Sequence, residues 1–402
     1  MPRDSFAGQR SARSTRAAIG LIALTFAGST LLTPLYVLYQ ARFGFSAFVL
    51  TIVYAAYVIG NATALLFLGR LSDSIGRRPV ALAAMALCAV AVLLFVAARG
   101  PAWLFAGRSV SGLAVGLGSG AGAAWLTDMH SDDRARATLL AAEANLAGVG
   151  AAPLVAGSLA SLAPRPLVTP YLVYATILAF VTVAILRADE TVRRTPVTAA
   201  SLRPQLALPQ GSARAFIAPA VTAFVVFGFV GFYAALLPSI LRHSMHLTNP
   251  VVGGAVLTEL FVVSMLTMPL TRRLASARSM LVGLAAIVPG LALLIAAQAL
   301  HLLALLILAT ACGGLALGLG YRRSLDVVNA IAPADQRAGV VSAYFLACFA
   351  GNAIPVIGVG VATMRFGPVV ASTLFAAVML LFVLIGLSAA LIYRPAGAQT
   401  KS

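Results

Sequence analysis

The stretch GRLSDSIGRRP, Gly69 to Pro79, separates two long apolar segments near the start of the chain. The preference of membrane proteins for basic residues in cytoplasmic loops accounts for its three arginines, Arg70, Arg77 and Arg78. That preference does not account for its carboxylate and its two glycines, Asp73, Gly69 and Gly76. Glycine allows a tight turn between antiparallel helices, and a carboxylate among arginines can accept charge-assisted hydrogen bonds or face a helix N-terminus. The stretch therefore predicts a shaped turn rather than an arbitrary linker.

The composition around this turn is that of a membrane protein. Of 402 residues, 61% are hydrophobic and 10% are charged, and the mean hydropathy is +0.98. A soluble globular domain has about 45–50% apolar and about 25% charged residues. One soluble core cannot bury so much apolar surface, whereas a bilayer solvates helices of about 20 apolar residues. We therefore predict an all-α, multi-pass membrane protein, and the composition excludes a secreted or cytosolic enzyme.

Twelve apolar segments are long enough to span a bilayer. The first is too long for the apolar region of a signal peptide and lacks a clear cleavage pattern, so we expect it to be retained as a membrane span. The segments cover 17–39, 46–69, 79–98, 102–126, 137–161, 167–186, 215–241, 250–270, 279–298, 302–321, 339–364 and 368–393. They divide the chain into a tail of 1–16, a six-helix bundle of 17–186, a linker of 187–213, a second bundle of 214–393 and a tail of 394–402.

The basic residues predict the orientation. With the N-terminus inside, the inner side receives 22 of the 28 Lys and Arg residues, and the outer side receives Arg42, Arg99, Arg165, Arg242 and Arg365. We therefore predict a protein of the inner (plasma) membrane with both termini cytoplasmic. The net charge is +17, but the basic residues lie at the ends of apolar segments. We therefore predict the lipid bilayer, and not nucleic acid, as the partner of this protein. Three cysteines in apolar stretches, Cys88, Cys312 and Cys348, give no support for a disulfide or metal site.

The chain contains an internal repeat. GLAxGLG begins at Gly112 in span four and again at Gly314 in span ten, an offset of 202. The motif DxRA begins at Asp132 and again at Asp335, Gly148 matches Gly351, and Pro34 matches Pro238, at offsets of 203, 203 and 204. Such a duplication of six spans is the plan of a transporter whose halves move around a central site.

With these features around it, GRLSDSIGRRP closely resembles the signature loop of the major facilitator superfamily, and the resemblance extends over nearly the whole chain. It implies two pseudo-symmetric six-helix bundles and transport by alternating access. It also implies that the loop is a conformational latch in which Asp73 meets the N-terminal end of span eleven and neighbouring arginines. The latch residues are Gly69, Asp73, Gly76, Arg77 and Arg78. The second copy, TRRLASARS from Thr271, has Ser276 near the position of Asp73, so we expect the two halves to latch unequally.

Two helices carry further motifs. Arg108 to Gly112 in span four resembles the RxxxG element of the family, and an arginine at this depth should face protein or a water-filled cavity. The alternative is an interface arginine that snorkels outward. Span five has Gly148, Pro153 and Gly157 in a pattern similar to the efflux branch, but with Ala152 and Ala156 in place of glycines. A helix bend without export is the alternative here.

Acidic residues inside the spans are candidate proton carriers. Glu259 lies near mid-membrane in span eight, and Glu143 lies in the inner third of span five. In an apolar medium a protonated carboxyl costs far less to bury than its anion. A neutral structural glutamate is an equal alternative for either residue. We predict Glu259, Glu143 and Arg108 as proton-coupling candidates, with Glu259 the first choice.

The remaining polar and aromatic residues suggest the cargo. Mid-membrane side chains that could line a substrate cavity are Tyr57, Asn61, Phe227, Phe232, Phe349 and Asn352. No Walker-type nucleotide loop is present, and we predict no cofactor, no metal and no enzymatic activity. We predict a monomeric secondary transporter that exports a small, partly apolar organic molecule in exchange for protons. The alternatives are proton-coupled import of a sugar or metabolite, and, from another class, a transport-inactive receptor or a membrane enzyme.

Overall fold

The computed structural model describes residues 3–197, 206–209, 213–271, 274–333 and 336–392, and in these residues the fold is helical and contains no strand. Short 3₁₀ and π turns interrupt the helices at Thr33–Leu35, Ala64–Leu68 and Leu317–Tyr321. The α-helices are α1 (Arg3–Leu31), α2 (Tyr36–Phe43), α3 (Ala47–Thr63), α4 (Leu71–Ile75), α5 (Arg77–Val96), α6 (Pro101–Met129), α7 (Arg134–Leu162), α8 (Thr169–Leu186), α9 (Ala213–Ser244), α10 (Pro250–Thr271), α11 (Ser276–Leu300), α12 (Leu303–Ala316), α13 (Arg322–Ile331), α14 (Arg337–Phe366) and α15 (Pro368–Ile392).

The prediction of an all-α protein with twelve membrane spans is confirmed, because twelve helical segments of the described chain are long and apolar enough to cross a bilayer. The largest difference lies in the tenth span, which continues through α13 to Ile331. The apolar pattern ends at Tyr321 because Arg322, Arg323 and Asp326 follow it. The helix continues because Val328 is fully buried in a cluster with Tyr344, so an amphipathic turn extends an apolar span.

The chain forms two compact units. The first contains the described residues of Met1–Phe45, Ala56–Pro204 and Asn249–Thr258, and the second those of Ser46–Ala55, Gln205–Thr248 and Glu259–Ser402. The first half of α3 therefore belongs to the second unit, and the first half of α10 belongs to the first unit.

Close helix contacts repeat in both units at the offset of the sequence repeat. In the first unit, a Cβ added at Gly112 would overlap the backbone oxygen of Tyr57, and in the second unit a Cβ at Gly314 would meet the backbone oxygen of Leu260. Glycine permits this approach because small residues let membrane helices pack backbone to backbone. The duplication seen in the sequence is therefore also a duplication of helix contacts.

A second pair of contacts has the same relation. Gly148 of α7 lies against the backbone of Ala23 in α1, and Gly351 of α14 lies against the backbone of Phe224 in α9. Each glycine faces the carbonyl oxygen of its partner so closely that a methyl group would overlap it. These two glycines define the packing of the first helix of each half against the fifth.

Replacing Gly148 by alanine tests this contact. We expect Gly148→Ala to destabilise the protein by about 1–3 kcal/mol, the range for overpacking a close contact. Thermal unfolding of the purified protein in detergent would show a lower midpoint. Gly358→Ala is the matched control, because Gly358 also lies inside a membrane helix but has no atom within 4 Å of an added Cβ. Equal midpoints for the two variants would contradict the close packing of α1 and α7.

Candidate functional site

The signature loop is a short helix between two turns. After the π turn Ala64–Leu68, the chain passes Gly69 and forms α4, which ends at Gly76. Gly76 has φ +106°, a conformation that side-chain-bearing residues rarely adopt. The chain then enters α5 at Arg77, so Gly76 provides the left-handed backbone conformation of the turn between α4 and α5.

Arg77 organises the loop through its guanidinium group. It donates to Ser72 Oγ at 2.7 Å and to Asp128 Oδ2 at 2.9 Å, and it also pairs with Asp73. Arg77 is 8% exposed, whereas the side chain of Asp73 is 57% exposed. One buried arginine therefore holds two carboxylates, of which Asp73 keeps a surface free for a further contact.

Glu190, which follows α8, caps the N-terminus of α5. Its carboxylate accepts hydrogen bonds from the backbone N–H groups of Arg77 at 2.8 Å and Arg78 at 3.0 Å. The first N–H groups of a helix have no partner within the helix, and a negative charge there also favours the helix dipole. A Cβ at position 76 would overlap this carboxylate, so the missing side chain of Gly76 also leaves the space that the carboxylate of Glu190 occupies.

The segment after Glu190 adds two contacts to the same loop. Thr191 Oγ1 donates to Asp128 Oδ2 at 2.8 Å, and the backbone N–H of Thr195 donates to the carbonyl oxygen of Ser74 at 2.8 Å. We call Glu190 to Thr195 the strap. The sequence analysis missed both Glu190 and Asp128, because Glu190 falls within the predicted linker and no local pattern singles out Asp128. The signal for Glu190 in the sequence is a pair of acidic residues, Asp189 and Glu190, at the start of a linker whose other charged residues are arginines.

Arg108 lies inside the first unit and is 1% exposed, so it does not snorkel to a surface. Its guanidinium donates to the backbone oxygen of Ser29 at 2.6 Å and lies over the ring of Tyr57, 4.4 Å from the centroid. A desolvated cation–π contact contributes about 2 kcal/mol, which offsets part of the several kcal/mol that it costs to bury a charge. Two of the residues predicted from the sequence, Arg108 and Tyr57, are therefore in direct contact.

Asn61 lies one turn beyond Tyr57 and is 8% exposed. Its backbone oxygen and its side-chain oxygen would both crowd a Cβ at Gly116, and no hydrogen bond to the side-chain oxygen is found in the described part of the chain. Tyr36 is also fully buried, and its hydroxyl lies in the electrostatic range of Arg108. Buried polar side chains, those of Tyr36, Tyr57 and Asn61, thus lie near the buried guanidinium of Arg108 or on the helix next to it.

The bend candidates lie in α7, which remains helical through Pro153. Thr258 Oγ1 donates to the backbone oxygen of Gly150 at 2.6 Å. A Cβ at Gly254 would overlap the backbone oxygen of Pro153, and one at Gly157 would overlap that of Pro250. Gly150, Pro153 and Gly157 thus form a close contact between α7 and the first half of α10, whereas Gly148 packs against α1.

Glu259 lies in α10, where it is half-buried. Tyr233 of α9, which is fully buried, lies in electrostatic range of its carboxyl. The ion pairs found in the described residues join Arg77 to Asp73 and Asp128, and Arg323 to Asp326, so none includes Glu259. Glu143, in α7, is exposed.

The aromatic candidates of the second unit lie in different surroundings. Phe227 makes an edge contact with Tyr321 at 5.0 Å between centroids, whereas Phe232 is fully buried and stacks on Phe375 at 4.4 Å. Phe349 is 9% exposed. Asn352 accepts a hydrogen bond from Tyr54 at 2.8 Å. Phe227, Phe232 and Asn352 thus each have a different partner among the described residues.

Comparisons with known proteins agree with this architecture. The family profile described as Major Facilitator Superfamily matches residues 18–356. The chain is 26% identical over 352 residues to the multidrug resistance protein MdtL of Klebsiella pneumoniae, covering 83% of this chain and 86% of that protein. It is 26% identical over 350 residues to MdtL of Escherichia coli, with the same coverage.

Two solved structures share the fold at low sequence identity. A nucleoside transporter, NupG, aligns with a TM-score of 0.75 at 14% identity, over 94% of this chain and 99% of that one. A peptide transporter, POT, aligns with a TM-score of 0.78 at 14% identity, over 94% of both chains.

Removing the cap on α5 tests the strap. We expect Glu190→Ala to lower the free energy of unfolding by about 0.5–2 kcal/mol, the range for loss of a helix N-cap. The thermal midpoint in detergent would fall by a few degrees. Asp189→Ala is the matched control, because Asp189 is exposed and its recorded contact uses its backbone N–H. The capping role is wrong if both variants unfold at the wild-type midpoint.

Arg108 can be tested by a change that keeps its volume. Arg108→Met removes the charge and the hydrogen bond to Ser29, and we expect the variant to fold but to lose transport. Arg108→Lys keeps the charge without the planar donor fork, so transport should be impaired rather than lost. Transport of the probe ethidium by cells that express the protein and gel filtration of the purified protein are the readouts, with exposed Arg99→Met as control. Wild-type transport in Arg108→Met would limit Arg108 to packing.

Proposed function

This chain belongs to the major facilitator superfamily and is a transporter rather than an enzyme, and from that premise we propose that it exports a small, partly apolar organic molecule in exchange for protons. The two bundles, 17–186 and 214–393, would alternate access to the substrate. The observation that carries the exchange mechanism is the half-buried Glu259, which takes part in no ion pair found in the described residues.

Export rests on two supports. The relatives that match over 83% of the chain are named multidrug resistance proteins. Pro153 and Gly157 of α7 pack against the backbone of α10, and two hydrogen bonds lie beside these contacts, from Thr258 to Gly150 and from Ser161 to Asn249. We propose that this contact, in which small residues let the two helices approach closely, is rearranged when the substrate is exported.

Proton coupling rests on the surroundings of Glu259. A carboxylate in a membrane span is costly unless it is paired or hydrated, and its neutral form is far cheaper to bury. With no arginine paired to it among the described residues and with Tyr233 nearby, Glu259 would exchange protons with whichever side of the membrane the site faces. Arg108, a buried cation of the first unit, remains a further candidate for an effect on proton coupling.

The signature loop supplies the switch in this proposal. Asp73 shares Arg77 with Asp128 but remains 57% exposed, so it can meet a helix N-terminus in one conformation. A partly buried charge–dipole contact contributes up to about 2 kcal/mol. The latch of Gly69, Asp73, Gly76, Arg77 and Arg78 would hold that conformation while the strap keeps the loop in shape.

The protein is a multi-pass membrane protein, and the inner membrane is the location that its family and its bacterial relatives indicate. We further propose that both termini are cytoplasmic and that the protein acts as a monomer, with the substrate and protons as its ligands.

Neutralising Glu259 tests the coupling. Glu259→Gln imitates the protonated form permanently, so we expect ethidium exchange to persist while uptake driven by a pH gradient into inside-out vesicles is lost. Glu143→Gln is the control, and we expect a milder effect there. The assay compares uptake of ethidium and other ring-bearing compounds with and without the gradient.

Each outcome separates part of the proposal. Wild-type, gradient-driven accumulation by Glu259→Gln would overturn coupling through this residue and direct attention to Glu143. Accumulation by the wild type that is insensitive to the pH gradient would overturn proton exchange as a whole. Uptake in the opposite direction only, into right-side-out vesicles, would overturn export.

A further inference from the structure

An apolar groove with a volume of about 300 Å³ runs along the first unit between α7 and α8, with α1 as its floor. The floor is a stripe of residues at the spacing of one helix face: Gly20, Ala23, Leu24, Ala27 and Leu31. The walls include Ala151 of α7 and Ile177 of α8, and both side chains are exposed. The groove is therefore open to the surroundings of the protein along the membrane spans.

The lining offers hydrocarbon. Every lining residue is Gly, Ala, Val, Leu, Ile, Pro or Tyr. The hydroxyl of Tyr174 already donates to the backbone oxygen of Leu24 at 2.9 Å. An occupant of this groove gains close packing and no hydrogen bond from side chains, which suits an alkyl chain and not a polar solute.

The length of the groove matches one leaflet of a bilayer. Its floor spans Gly20 to Leu31, or about 16 Å at about 1.5 Å per helical residue. A bilayer hydrocarbon core is about 30 Å thick, so one leaflet is about 15 Å deep. An acyl chain extended along the groove would therefore fill it from end to end.

One end of the groove is basic. Arg16 and Arg13 precede Gly20 by four and seven residues, so they continue the same face of α1, and both are exposed. The end of α8 lies in this corner, because Ser14 Oγ accepts a hydrogen bond from the backbone N–H of Asp189 at 3.1 Å. Arg187 is exposed there as well. Two acidic residues lie nearby, Asp189 and Glu190. The carboxylate of Glu190 is bound to the N-terminus of α5, so the three arginines face one exposed carboxylate, that of Asp189.

We propose that this groove holds one acyl chain of an anionic phospholipid whose headgroup lies on Arg13 and Arg16. By the predicted orientation, the lipid belongs to the cytoplasmic leaflet. The groove is no more apolar than the lipid interior, so filling it does not itself select a lipid. The selection comes from the headgroup, and two basic residues at a membrane surface favour an anionic lipid on the order of tenfold.

Photo-crosslinking of the full-length protein tests the proposal. The protein is reconstituted in nanodiscs that contain phosphatidylglycerol with a diazirine in its acyl chain, and labelled peptides are mapped by mass spectrometry. We expect labelling to concentrate on α1, α7 and α8. Unlabelled phosphatidylglycerol should compete on the order of tenfold better than phosphatidylcholine with the same chains.

Two pairs of variants separate the groove from the headgroup site. Ala151→Phe fills the groove and should reduce labelling at least fivefold, whereas Ala285→Phe, at an exposed position of α11, should not. Arg13→Gln with Arg16→Gln should keep the labelling but abolish the preference for the anionic lipid. Arg99→Gln with Arg165→Gln, two exposed arginines of the same unit, is the matched control.

Three results would overturn the proposal. The first is even labelling of all exposed membrane helices, as expected of bulk lipid. The second is equal competition by the two unlabelled lipids, which would remove the headgroup site. The third is the absence of lipid labelling in the groove together with crosslinks between two copies of the chain, which would show that the groove is a dimer interface. Because the readout is lipid contact, none of these results depends on the transport activity.

Discussion

The structure depends on one constraint: inside a bilayer, every backbone polar group must find its partner within the protein. Helices satisfy this requirement internally, so their association must come from close packing rather than from exclusion of water. In this chain the close packing is provided by glycines whose missing side chains leave room for a neighbouring backbone, as at Gly112, Gly148, Gly314 and Gly351. The duplicated positions of these glycines repeat the same solution in both units.

The two buried arginines of the first unit are each compensated by other groups. Arg108 has an aromatic face and a carbonyl oxygen, and Arg77 has two carboxylates and a hydroxyl. Glu259 differs, because none of the ion pairs found in the described residues includes it. This contrast between two partnered arginines and one carboxyl without a cation is the basis of our proposal that a proton is the coupling ion.

The sequence was sufficient for the spans, for the duplication and for the shape of the signature loop, because each leaves a local pattern of apolar runs, glycines or charges. It was not sufficient for the contacts that join distant segments. Glu190 lies 113 residues from the backbone N–H that it accepts from Arg77, and Asp128 lies 51 residues from the same arginine. The end of the tenth span was missed for a related reason, since the burial of Val328 depends on Tyr344 and not on its charged neighbours.

The strap also bears on where the first half of the protein ends as a folding unit. Its helical bundle is complete at Leu186, yet the N-terminus of α5 is capped only by a residue beyond that point, and Thr195 still bonds to α4. A first half that ended at its last membrane helix, at Leu186, would therefore leave the first N–H groups of α5 without this cap, so the start of the connecting segment belongs to the first half as a folding unit.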